Sequence, residues 1–116
     1  MRKIGITLIL ASVSLGSVEI DQSLAQGACV YGTRGTVTGI VGNTTGTDEY
    51  VMLLPRGCAD GAPKCPRVGN CFIEALIVNR PAPPACTIGR RFNASGTVDK
   101  GALIGDWLLV ETIQCN

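Results

Sequence analysis

Histidine is absent from this chain of 116 residues, and with it goes the side chain most often used for acid–base work near neutral pH. Serine is concentrated in the first 25 residues. Beyond residue 25 only Ser95 remains, with no imidazole to take its proton, so a serine–histidine nucleophile is excluded. Aromatic residues number one Trp, two Tyr and two Phe, which leaves few platforms on which bases or sugars would stack. Paired carboxylates occur as Asp48-Glu49 and as Asp99 with Asp106, but acids that bracket glycines and turns read as turn chemistry. The chain is therefore read as a non-enzyme with no cofactor.

A surplus of one charge is also missing. Setting aside Arg2, Lys3, Glu19 and Asp21 from the ten basic and nine acidic residues leaves eight and seven. Such a balance argues against nucleic acid as a partner, because that affinity comes from many unopposed cations. Metal-ligand spacing is lacking as well: Cys58, Cys65 and Cys71 are separated by six and five intervening residues, not two to four.

What is present begins with an address. Met1-Arg2-Lys3 precedes an apolar run from Ile4 to Val18, and Ser23-Leu24-Ala25 supplies the small residues of a cleavage site. The expectation is a signal peptide over 1–25, removed after Ala25, and one domain over 26–116. No membrane span is expected in that mature form, and its location would be periplasmic or extracellular. A domain this small buries only about 60–68% of its unfolded surface. Its six cysteines, Cys29, Cys58, Cys65, Cys71, Cys86 and Cys115, therefore read as three disulfides in an oxidising compartment.

Beyond the leader no window carries helical periodicity free of Gly or Pro. Strands are expected over Arg34 to Val41, ending at the turn Gly42-Asn43, then Glu49 to Leu54, Cys71 to Val78, Arg91 to Val98 and Trp107 to Gln114. In the last of these, Trp107, Leu109 and Ile113 alternate with Leu108, Val110 and Thr112, apolar on both sides at the start. Pro81-Ala82-Pro83-Pro84 is a stiff connector. Thr36-Val37-Thr38-Gly39-Ile40-Val41 and Asn93-Ala94-Ser95-Gly96-Thr97-Val98 share a polar-apolar-polar-Gly-x-Val pattern. Each strand is expected to bend or admit a close neighbour at its glycine.

With this echo the chain resembles the oligonucleotide/oligosaccharide-binding (OB) fold, a five-stranded barrel whose first and fourth strands pair. More narrowly it resembles small exported bacterial OB-type domains of unassigned function, in which a step like Gly89-Arg90 precedes the fourth strand. That family carries a helix where this chain has its proline connector, so a small β-sandwich stands as the alternative to the barrel. Strand order in the barrel places Cys86 beside Cys115, and leaves Cys29, Cys58, Cys65 and Cys71 at the other mouth. The pairs expected there are Cys29 with Cys58 and Cys65 with Cys71.

The resemblance also implies a binding surface on strands two and three and the loops beside them. By position it comprises Tyr50, Met52, Glu74, Lys100 and Trp107, with a glycan or a protein as ligand. A second function is a protease inhibitor presenting Lys64 and Arg67 on a disulfide-bounded loop, Cys58 to Cys71, whose rigidity lowers the ordering cost of binding.

Overall fold

The computed structural model describes residues 28–116; the expected signal peptide and its cleavage after Ala25 lie outside them. Six strands form one all-β unit: β1 (Arg34–Gly46), β2 (Tyr50–Pro55), β3 (Arg67–Val68), β4 (Cys71–Asn79), β5 (Arg91–Asp99) and β6 (Asp106–Cys115). Among the described residues, helix is limited to two single 3-10 turns, Cys58–Asp60 and Ala62–Lys64. The strands pair in the order β2-β1-β5-β6-β4-β3, and β2 also pairs with β4. That second contact of β2 closes five strands into a barrel, with β3 as a short extra strand on β4. All pairings are antiparallel except β4 with β6. The barrel is thus OB-like, and the sandwich alternative falls because the sheet returns on itself.

Alternation places the core. Val37 and Val41 of β1, Leu53 of β2, Ile73, Leu76 and Val78 of β4, Phe92, Ala94 and Val98 of β5 and Leu108 of β6 are buried together. Three departures from strict alternation shape the barrel, one of them the β4–β6 slip between Ile73 and Ala75. Gly42 does not end β1 in a turn. It sits where the β1–β2 register slips, and the strand continues to Gly46. A Cβ there would lie 2.7 Å from the Arg56 Cα, so the bulge is what lets β1 leave β5 and pair with β2. The third slip falls opposite Ser95 and Gly96 and makes Glu111 the extra residue of β6. Past it the parity reverses, so Ile113 packs against the core with Val110 and not with Leu109, which is 38% exposed. The expected two-sided burial of this strand is corrected accordingly.

The two glycines of the repeated pattern act differently. At Gly39 the Phe92 ring lies where a side chain would be, 2.8 Å from a Cβ, whereas at Gly96 a Cβ would meet the Leu109 carbonyl oxygen at 2.1 Å.

Both mouths are clamped by sulfur. Cys86–Cys115 ties the proline connector to the end of β6. At the other mouth the pairs are Cys29–Cys71 and Cys58–Cys65, not the Cys29–Cys58 and Cys65–Cys71 pairs expected. The cause is local. Gly57 takes a left-handed φ of 87° and the two 3-10 turns curl the chain, so Cys65 returns to Cys58. The β3–β4 hairpin then carries Cys71 away to the segment that precedes β1.

Two measurements follow from this architecture. Loop-closure entropy assigns about 4 kcal/mol to the bridge spanning 42 residues and about 2.5 kcal/mol to the one spanning 7. Replacing Cys29 and Cys71 together by Ala is expected to lower the denaturation midpoint more than replacing Cys58 and Cys65. Gly96→Ala is expected to cost about 3 kcal/mol, the top of the overpacking range, because both conflicting groups are backbone. Gly39→Ala costs less, since the Phe92 ring can tilt; chemical denaturation reads both.

Candidate functional site

Met52 and Leu54 alternate with buried Leu53 along β2 and so point out of the barrel. Beside them lie Glu74 and Ala75 of β4, where the β4–β6 register slips. Trp107 of β6 pairs with Ala75 across the parallel ladder. The loop from Lys100 to Gly105 folds over this seam, and together they enclose a cleft of about 270 Å³. Met52, Leu54, Ala59, Leu103, Ile104 and Trp107 supply most of its apolar wall. Leu103 is 87% exposed and Ile104 49% exposed, so the apolar wall continues onto the rim.

Glu74 organises this arrangement. Its carboxylate accepts from the backbone N–H groups of Ala102 at 3.1 Å, Leu103 at 3.2 Å and Gly105 at 2.9 Å. It also accepts from the Trp107 indole at 3.0 Å. Partial burial pushes its pKa up, but the donors from Gly105, Ala102, Trp107 and Leu103 outweigh that effect together and hold it below the ordinary value of 4.5. A glycine-bounded loop with few apolar contacts of its own is thereby pinned by one anion. Asp106 adds a second hold, accepting from the Gly101 N–H at 3.3 Å. Desolvation and the charge of Asp106 hold the pKa of the Tyr31 phenol above its ordinary value.

Of the residues assigned to binding, Met52, Glu74 and Trp107 come together at the cleft. Glu74 is consumed by the loop, so it builds the site and offers no free lone pair to a ligand. Tyr50 opens β2 outside the lining, and Lys100 is exposed and absent from it. Leu54, Leu103 and Ile104 were missed; three apolar residues in a row, Ala102 to Ile104, inside a turn-rich segment were the signal. Lys64 is exposed at the end of a 3-10 turn. Arg67 lies in β3, its guanidinium 5.0 Å from the centroid of the Phe72 ring and bonded to the Gly69 carbonyl at 3.1 Å. No single bridge bounds 58–71: Cys58 pairs with Cys65 and Cys71 with Cys29, so Arg67 lies outside the small ring that holds Lys64.

Of the carboxylates considered for catalysis, Asp99 accepts from the Lys100 N–H at 2.8 Å and Asp106 holds Gly101. Ligand atoms of Cys29, Cys71 and Asp106 lie within 4.8 Å of one another. Both sulfurs are spent in a disulfide, so this trio is no metal site. Among the described residues no helix is long and apolar enough to cross a membrane. Comparisons with protein-family models, curated proteins and solved structures find no match.

The lowered pKa of Glu74 fixes a sign. A carboxylate stabilised in the fold contributes fully above its unfolded value and is lost as pH falls through the folded one. Trp107 emission, from the single tryptophan of the chain, is expected to hold steady from neutrality to about pH 5 and to change below that as the loop releases. Glu74→Gln is expected to show the released signal at neutral pH and to lose about 1–2 kcal/mol, solvent screening keeping the figure low.

Proposed function

We propose that this domain is an exported, non-catalytic binding module that seats an apolar side chain of a protein partner in the cleft between β2, β4 and the β5–β6 loop. The observation that carries the proposal is the apolar wall that runs from Met52 and Trp107 out to the exposed Leu103 and Ile104. Its volume of about 270 Å³ falls below the ~300–1,000 Å³ of small-molecule sites and suits one large side chain. A sugar in the same place would find the Glu74 oxygens and the Trp107 N–H already committed to each other and to the loop. Buried hydroxyls would then go unpaired, at a cost of about 1–3 kcal/mol each. Three disulfides with no membrane-crossing helix among the described residues are consistent with export.

Titration of Trp107 fluorescence separates the ligand classes. Blocked peptides with a central Leu or Phe are expected to shift the emission saturably, and neutral cell-wall oligosaccharides are not. Burying one such side chain is worth about 1.5–3 kcal/mol, so Leu103→Ser should weaken the peptide about tenfold while Lys100→Ala leaves it unchanged. Saccharides that shift the emission where peptides do not, or an L103S variant that binds as well as the parent, would overturn the proposal.

A further inference from the structure

The barrel presents a second surface of opposite chemistry. Across β1, β5 and β6 the register aligns Thr36, Ser95 and Thr112 in one row and Thr38, Asn93 and Gln114 in the next. These rows alternate with the core residues, so they stand on the outer face. Thr36 and Ser95 share a hydroxyl–hydroxyl bond of 2.7 Å. One strand-step beyond, the exposed Arg91 borders a depression of about 570 Å³, walled by Thr38, Asn93 and Gln114 and floored by the backbone at Gly39 and Phe92. In the ring order β2-β1-β5-β6-β4 the middle strand of this face, β5, lies across the barrel from the β2–β4 seam that carries the apolar cleft.

We propose that this depression binds a carboxylate-bearing saccharide. Neighbouring side chains supply what a sugar needs: the Asn93 and Gln114 amides and the Thr38 hydroxyl each donate and accept, matching hydroxyls that do both. Arg91 supplies the charge complement. Among the described residues the one ion pair joins Arg34 to Glu111, which leaves the Arg91 guanidinium without a carboxylate and open to bidentate contact. Other partners fit worse. A protein would need a central apolar or aromatic anchor, and the side-chain wall here offers only half-buried Ile40. A nucleic acid would need several cations, and this hollow has one.

Amide-detected NMR of the oxidised domain tests the site with three probes: a galacturonic acid trimer, maltotriose and inorganic phosphate. The acidic trimer is expected to move the side-chain amide signals of Asn93 and Gln114 saturably, and to weaken about tenfold or more with Arg91→Gln. Gln114→Ala is expected to weaken it as well, and both exposed substitutions keep the dispersed spectrum of the fold. No movement of those signals at about 10 mM trimer, equal binding of maltotriose or phosphate, or movement confined to the Trp107 indole would each overturn the proposal. The last of these outcomes would also count against the apolar cleft as a protein site, whereas the others leave that site untouched.

Discussion

Closure of a very small sheet governs everything else in this molecule. Five strands enclose a core of valines, three leucines, one isoleucine, one alanine and one phenylalanine ring, too little apolar material to resist unravelling from its open ends. The free ends of the barrel are where the cysteines lie. Cys29–Cys71 holds the chain before β1 against the start of β4, and Cys86–Cys115 holds the connector against the end of β6. Because these links restrict the unfolded chain, they stabilise without enlarging the core, and the outer faces of the strands stay available for recognition.

Those outer faces divide by chemistry. On the β2–β4 seam the outward residues are apolar and a loop extends the apolar wall. On β1, β5 and β6 they are hydroxyls and amides. One ionised side chain, Glu74, does most to build the first surface, since it gathers three backbone donors and an indole around a loop held otherwise by Asp106 at Gly101. The second surface needs no such organiser. Once the Glu111 insertion has set the facing of β6, antiparallel register brings Thr38, Asn93 and Gln114 into line.

Much of this was readable from residue order. Strand-forming runs bounded by Gly and Pro marked the five barrel strands, and the repeated glycine pattern marked β1 and β5, which do pair. What escaped were features set by three-dimensional slippage. Gly42-Asn43 has the composition of a turn, yet its neighbours on β2 convert it to a bulge. Glu111 looks like an ordinary exposed position, yet as an inserted residue it reverses the facing of Ile113. Disulfide partners at the crowded mouth depended on a left-handed Gly57 and on a two-residue strand, β3, that no periodicity announces. The cleft was half legible for a similar reason. Met52 and Trp107 lie on strands with a defined facing, while Leu103 and Ile104 lie on a loop whose path is dictated by an acceptor 29 residues away in the chain for Leu103.

The inserted Glu111 has a further effect on how molecules of this protein meet one another. Pairing of β6 with β4 stops at Leu109, so the last residues of β6 have an edge that a strand of another chain would find attractive. Extra twist at the insertion and the charged Arg34–Glu111 pair beside it make that edge a poor template. The same one-residue irregularity thus works against edge-to-edge growth of the barrel into fibres.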